Sequence, residues 1–539
     1  MFSRFAVWTG LSFGLIVLIF FFSTHSFQPS VLSFIVLSLF LSIDLVVSHV
    51  ILYPIFFTPF KHIPTPPGRS IWNGHFAQFT NEPGGLAARR WMLEVPNSGL
   101  LRFYLAGNTE RIMVLSPKAI AEVLVSKYDD YERQTQMKDV MEKKIGHGLI
   151  LAEGDRHRHQ RKVFKPAFSF RHIKGLYQIF WSKGVEMTKA MEKDFETSRK
   201  DPKAIRIADL AQRTTLDIIG LAGMGYDFSS IQNPTGRLSI ECGKIFPPVS
   251  KFTLFAQFFS SLISPRLFTR LPIKHNRDVQ EGGRYVRNFC ERLLHDKQQK
   301  IEKKETGHID IISVAMENGE FTNRELVDQI MTFLAAGHQS TSAAFQLVVY
   351  VLCKYPEIQT RLREEIRSSL PSISLDSPVP ISASLIDSLP YLHAVCNETL
   401  RFYPPLPFLQ REAVRDTVLL DTFIPKGTII SISPAVTNHD PELWGPDAGI
   451  FNPERWMGPG NANSGGATSN YAFLTFFHGP RSCIGAAFGQ AELACLVAVT
   501  VGRFEMELLD PGKELRIKHG PLGVPEDGVV VKLKIVEGW

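Results

Sequence analysis

Cys483 stands in FFHGPRSCIG, residues 476–485, directly ahead of AAFGQAELACLVAVTVG, a small-residue-rich apolar stretch with helical spacing. A cysteine just before a helix lies near backbone N–H groups and the positive end of the helix dipole, and both favour the thiolate. Gly479 and Gly485 permit close approach of the backbone to a flat ligand. A thiolate so placed can hold iron, and it pushes electron density onto the metal in a way that favours O–O cleavage. The plain alternative is a buried structural cysteine, the commonest fate of a free thiol. A second pair with chemical potential is Glu398 and Arg401, in SLPYLHAVCNETLRFYPP. They are three apart on a helix that should end before Pro404, so their side chains share one face. Taken alone, such a pair reads as an exposed ion pair of little energetic value.

Phe476, Gly479, Arg481, Cys483 and Gly485 fill every fixed position of FxxGxRxCxG, the haem signature of the cytochrome P450 family. The chain resembles that family from about residue 62 to its end, and Glu492 stands where the family usually carries an acid. The resemblance implies haem b, iron protoporphyrin IX, with Cys483 as the axial iron ligand. It further implies that Phe476 packs beside the sulfur and that Arg481 pairs with a haem propionate. Glu398 and Arg401 match the family's ExxR, and Arg455 in FNPERW completes a network that locks the proximal side of the haem. GDRHRHQRKVFKPAF, residues 154–168, resembles the helix that supplies propionate partners, with His157 and Arg161 at the matching positions. Arg411 matches another propionate contact. Two carboxylates in a largely apolar pocket need such cations, because an unpaired buried charge is costly. Arg158 and Lys162 are expected on a solvated basic face that could meet an acidic electron donor.

AGHQST, residues 336–341, resembles the oxygen-binding AGx(D/E)T(T/S) of the family. Ala336 and Gly337 fit, the glycine being expected to open room over the iron. Gln339 replaces the usual acid and Ser340 the usual threonine. Glutamine can organise water but gives up no proton near neutral pH, and serine keeps a hydroxyl without the β-branch that fixes threonine rotamers. Thr341 is expected to assist, whereas His338 reads as an ordinary packed histidine. The implied activity is insertion of one oxygen atom from dioxygen into an apolar organic substrate. Electrons would come from NADPH through a separate cytochrome P450 reductase, with cytochrome b5 as a second donor, since no nucleotide-binding domain is seen. The motifs are most similar to fungal members that modify terpenoid or polyketide-like secondary metabolites. Gln339 and Ser340 motivate two rivals: a haem-thiolate isomerase, dehydratase or peroxide-driven enzyme, and a non-enzymatic haem-binding membrane protein.

Positioning these groups calls for a mainly α fold with a small β portion. FTNRELVDQIMTFLAAGHQSTSAAFQLVVYVLCKYP predicts one long helix, opened by a Thr322–Glu325 capping box and stopped before Pro356. The aromatic-rich residues 246–268 suit either a membrane-facing substrate entrance or a core helix. KQQKIEKKE from Lys297 reads as a solvated helix end, and GPGNANSGGATSN, residues 458–470, as a flexible surface loop.

With 539 residues, 44% hydrophobic and 21% charged, the composition excludes a disordered or collagenous chain. The six cysteines are scattered without a CxxC pair, so neither a disulfide scaffold nor a cysteine-rich zinc site is expected. A net charge of +6, with basic and acidic residues interleaved, gives no support for nucleic-acid binding. Residues 5–22 are uncharged and apolar, and a second apolar run over 31–52 is interrupted by Asp44 and His49. Two membrane spans are expected, or only the first. Arg4, Lys61 and Arg69 flank the pair while the connecting STHSFQPS has no Lys or Arg, so both ends should face the cytosol at the endoplasmic reticulum membrane. Residues 1–61 are thus read as an anchor, with HIPTPPGR at 62–69 as a stiff connection, and residues 62–539 as one catalytic domain.

Overall fold

The computed structural model describes residues 12–17, 31–197, 204–245, 270–271, 273–303, 310–373, 380–517, 520 and 522–539. The expected substrate entrance at 246–268 lies outside them. Among the described residues helices dominate, beside three small sheets. The largest sheet runs in the order β1 (Leu100–Leu105), β2 (Thr109–Val114), β5 (Ile429–Ile432), β4 (Leu409–Ala413) and β3 (Tyr131–Glu132). Only its β2–β5 pairing is parallel. Alternation along β4 buries Leu409, Arg411 and Ala413 on one face. The pleat therefore turns a guanidinium inward between two apolar residues.

Nine helices carry the argument: α1 (Thr135–Ile145), α2 (Gly154–Phe164), α3 (Tyr177–Thr197), α4 (Ile207–Met224), α5 (Lys274–Glu302), α6 (Asn323–Lys354), α7 (Pro356–Ser369), α8 (Pro390–Phe402) and α9 (Ala486–Arg503). α6 has 32 residues, about 48 Å at the helical rise, and begins with both halves of the Thr322–Glu325 capping box. It stops one residue before Tyr355, and Pro356 then opens α7 at its first turn, where a missing N–H is tolerated. α8 uses Pro390 in the same way and gives out at Tyr403, just before Pro404. The main core lies where α3, α4, α6, α8 and α9 meet, with Phe180 edge-on to Phe488 and Phe164 edge-on to Phe333, each at 4.9 Å. All six cysteines are free thiols.

Two connecting segments are held against the domain. The proline-rich 62–69 segment is pinned: Arg102 N donates to Pro64 O, and the side chains of His75 and Gln78 meet Pro66 O and Pro67 O. Residues 458–470 form a series of turns. A Cβ at Gly465 would lie 2.9 Å from the Trp444 ring, so that glycine lets the backbone close onto an indole.

At the amino end, residues 12–17 are helical, as is Val31–Val46, which runs on into a π-helix at Val47–Phe57 containing Pro54. Most of the expected first span lies outside the described residues. Among the described residues no helix is long and apolar enough to cross a membrane. The Asp44 carboxylate, the polar break in the second run, accepts hydrogen bonds from Ser12 and Ser48.

Candidate active site

The segment from Phe476 to Cys483 folds back on itself. Cys483 N donates to Phe476 O at 2.8 Å, and the turn between them is a 3-10 segment over Gly479–Arg481. Phe477 and Gly479 both have positive φ, 55° and 76°. A Cβ at Gly479 would lie 2.1 Å from Leu124 O, so no other residue fits here without moving backbone. Gly479→Ala should therefore cost about 2 kcal/mol or more through the left-handed backbone and the clash. The expected result is a sharp fall in the yield of folded holoprotein, read by thermal unfolding and haem absorbance.

Gly485 differs. A Cβ there would meet only Phe168, at an ordinary 3.7 Å, so packing within the chain does not demand glycine. Cys483 alone of the six cysteines is exposed, yet protein encloses it and burial raises its thiol. The exposure is therefore toward a cleft inside the domain. The Gly485 N–H and the Arg161 guanidinium act in the other direction and favour the thiolate. Phe476 is half-buried and packs against Phe473.

Beneath this loop the Glu398 carboxylate is fully buried. It accepts from Arg401 on both oxygens at 2.7 and 2.8 Å, from Arg455 Nε at 3.1 Å, from Trp456 Nε1 at 2.9 Å and from Asn452 N at 2.8 Å. Arg401 uses all five of its N–H groups, the other three on the carbonyls of Asn438, Ala448 and Ile450. Trp444 lies over the guanidinium of Arg401 at 5.1 Å. Sequence reading missed Asn438. Its side chain donates to Arg401 O and Thr475 Oγ1 and accepts from Leu474 N, which ties α8 to the strand of chain leading into the cysteine loop. A buried polar network of this kind is useful when every member is satisfied, as here.

Four guanidinia and a histidine gather on the other flank of the cleft: Arg133, Arg161, Arg411, Arg481 and His157. They are close enough that each of the four cations depresses the His157 pKa, to about 3, although burial is the larger cause. His157 is thus a neutral imidazole. Arg481 holds Ala152 O and the Glu153 carboxylate, while Arg161 donates to Ser482 O and Ser482 Oγ at 2.7 and 3.1 Å. The Arg161 contact locks the residue before Cys483. Arg411 is 5% exposed, and among the described residues its side chain makes one hydrogen bond, a long 3.5 Å contact to Gln410 O. Burial first, then Arg133 and Arg481, drop its pKa to about 9. Arg133 Nε has no partner among the described residues. Glu153 is the one acid that acts on both Arg411 and Arg133. Nothing in the YERQT around Arg133 marks it as a site residue, and Glu153 was missed too; only the fold brings them together.

α6 presents Ala336 exposed and Gly337, Gln339 and Ser340 half-buried, with Thr341 and His338 buried. Ser340 Oγ donates to Ala336 O at 2.8 Å. His338 Nδ1 meets Leu334 O, and Thr215 Oγ1 of α4 donates to His338 O. Gly337 also serves close helix packing: a Cβ there would fall 2.9 Å from Ile219 of α4. Arg158 is exposed, but it pairs with Asp129 and Asp155 within the chain, which leaves Lys162 as the freer cation of that face.

A buried cation cluster in which Arg411 and Arg133 share Glu153 as their acid calls for further anions, and a cysteine beside it offers one soft ligand. No group of three or more His, Cys, Asp or Glu able to hold a metal ion occurs among the described residues. An iron held by Cys483 would need ligands from outside the described residues, and a macrocycle with two carboxylates would meet both demands. These residues fit a haem. The class defined by this fold and site is a haem-thiolate protein.

A family model described as cytochrome P450 matches residues 64–533. The chain belongs to the cytochrome P450 family. It is 47% identical to cytochrome P450 monooxygenase sphH of Aspergillus fumigatus over 492 residues, covering 90% of both chains. It is 41% identical to cytochrome P450 monooxygenase FSL4 of Gibberella zeae, with 91% of each chain covered, and 35% identical to cytochrome P450 monooxygenase ALT8 of Alternaria alternata, with 91% of this chain and 92% of that one covered. The protein is a cytochrome P450 monooxygenase, an oxidoreductase whose family implies a haem-thiolate iron.

Proposed function

We propose that the protein inserts one oxygen atom from dioxygen into an apolar organic substrate of fungal secondary metabolism, terpenoid or polyketide-like, using electrons from NADPH delivered by a separate reductase. The observation that carries the site assignment is the convergence of Arg133, Arg161, Arg411, Arg481 and neutral His157 beside Cys483. Haem bound there supplies dioxygen reduction and electron storage. Cys483 would hold it through the thiolate, and its place beside Arg161 and the Gly485 N–H favours the charged sulfur. Arg411 and Arg133, short of partners among the described residues, would take the propionates. His157 offers an N–H as a neutral donor. Arg161 and Asn438 hold the cysteine loop from its two ends, and Ala336 with Ser340 borders the space for dioxygen and substrate.

The proposed setting is the cytosolic face of the endoplasmic reticulum membrane, behind a helical anchor in residues 1–61. The Ser12–Asp44 hydrogen bond supports a hairpin, since it gives the carboxylate of the second run a partner from the first. The reductase, with cytochrome b5 as a second donor, would approach a basic face that includes Lys162. Product formation by membrane-reconstituted protein should require both NADPH and dioxygen; turnover with neither would overturn the monooxygenase reading in favour of isomerisation or dehydration.

Arg411→Leu gives a result of two opposite signs. Removing a nearly unpaired buried cation should leave the haem-free protein as stable or more so. Losing a charge-assisted hydrogen bond of about 1.5–3 kcal/mol should weaken haem retention about tenfold or more. Thermal unfolding of the haem-free protein and haem transfer to an acceptor globin measure the two effects separately.

A further inference from the structure

Ile71 and Trp72 are 59% and 60% exposed, and among the described residues of 62–539 no other two consecutive large apolar residues are both exposed. They stand at the tip of a tight turn. Ser70 and Gly74 exchange both backbone hydrogen bonds, at 2.8 and 2.9 Å. Gly74 has a φ of 57° and lies so near β1 that a Cβ there would come within 2.7 Å of Tyr104. The next residue, His75, is fully buried with both ring nitrogens engaged: Nδ1 accepts from Tyr104 N at 3.1 Å, which leaves Nε2 to donate to Pro66 O at 3.0 Å. The apolar pair is thus presented outward on a turn fixed to the sheet. One side chain joins this turn to the proposed anchor. Asn108, 2% exposed where β1 bends into β2, accepts from Arg69 Nε at 3.1 Å and donates to Val50 O at 2.6 Å. Pro54, four residues after Val50, has no N–H to offer that carbonyl, and the Asn108 amide supplies one. Beside this bridge Thr58 Oγ1 donates to Glu110 at 2.8 Å, and the same carboxylate accepts from Tyr104 OH at 3.2 Å. Ile55, Phe56 and Lys61, on the chain between Val50 and the turn, are all exposed.

We propose that Ile71 and Trp72 are a second contact of the catalytic domain with the phospholipid surface, and that Asn108 fixes the angle between this contact and the anchor. This rests on the membrane setting proposed above. The chemistry of the segment suits a bilayer boundary. An indole presents an apolar ring and one N–H donor, which is why Trp gathers at headgroup depth, and Lys61 offers a cation to lipid phosphates. A flexible connection would let the domain swing about its anchor. Here the anchor end at Val50 and the tip at Ile71 and Trp72 are tied through Asn108 to the same β1–β2 bend, so two fixed points define the tilt of the domain on the bilayer.

Full-length holoprotein in mixed phosphatidylcholine and phosphatidylserine vesicles, with and without bromine on the acyl chains near the headgroups, tests both parts. The emission of Trp72 is the difference between the unaltered protein and Trp72→Phe, a substitution at an exposed tip that leaves the backbone bonds of the turn in place. Bromine should remove most of that difference emission. Two changes at Asn108 test the lock. Asn108→Gly accepts the positive φ of 54° while losing both side-chain bonds, and Asn108→Asp keeps an acceptor for Arg69 but loses the donor to Val50 O. In both variants bromine should quench Trp72 markedly less, while haem absorbance matches the unaltered protein and so separates a changed tilt from misfolding. Equal Trp72 emission with and without bromine in vesicle-bound protein would overturn the lipid contact, whether the tip is then free or covered by a second copy or another protein. Quenching unchanged in both Asn108 variants would overturn the lock. If the unaltered protein stays in the supernatant when the vesicles are sedimented, the membrane setting itself fails, and the lipid contact falls with it.

Discussion

Cys483→Ala is expected to leave no detectable NADPH- and dioxygen-dependent oxidation. The cleft beside the cation cluster contains one sulfur, and no group of three metal-ligating side chains occurs among the described residues to take its place. The substitution removes the only proposed protein bond to the iron, yet it should spare the fold. The loop is closed by the backbone bond from position 483 to Phe476 O and by Arg161 on Ser482, neither of which needs the thiol. Circular dichroism and thermal unfolding of the haem-free protein should thus match the unaltered chain, while haem content and turnover collapse. A variant that kept oxygen-dependent turnover would remove Cys483 from the mechanism.

The second large effect is expected at Glu398. Its side chain, like that of Arg401, is completely buried, and Arg455 is 6% exposed. Glu398→Ala would strand the Arg401 guanidinium without an anion and leave Trp456 Nε1 and Asn452 N without acceptors. Arg455 would keep Asp447. Breaking a buried ion pair from one side costs about 3–5 kcal/mol, a large part of the roughly 5–15 kcal/mol that holds a domain folded. The expected outcome is aggregation or a strongly lowered unfolding temperature, and loss of haem as the cysteine loop loses its support. Glu398→Gln keeps shape and several acceptors and should fall between. Arg401→Lys should be almost as damaging as Glu398→Ala, because three ammonium donors cannot replace five hydrogen bonds in a planar fork.

The sequence carried this network unevenly. Glu398 and Arg401 are legible because helical spacing alone puts them on one face, and Arg455 through the FNPERW resemblance. The carbonyls of Asn438, Ala448 and Ile450 that saturate Arg401 leave no residue-type signature, since any amino acid has a carbonyl. The inward turn of Arg411 follows from strand alternation. Arg133 and Glu153 reach the same cleft from β3's far end and the start of α2, a meeting that depends on tertiary folding. The long α6 could be read to its ends from a capping box and a proline. The packing contact of Gly337 was not legible, because its partner Ile219 comes from a helix distant in sequence.

The central claim is that Cys483 presents a thiolate to haem iron in this cleft. Its most direct test is the absorption spectrum of the reduced, carbon-monoxide-bound full-length protein. The account requires the red-shifted Soret band of a thiolate ligand, lost in Cys483→Ala. A histidine-type Soret band from correctly folded unaltered protein would contradict it.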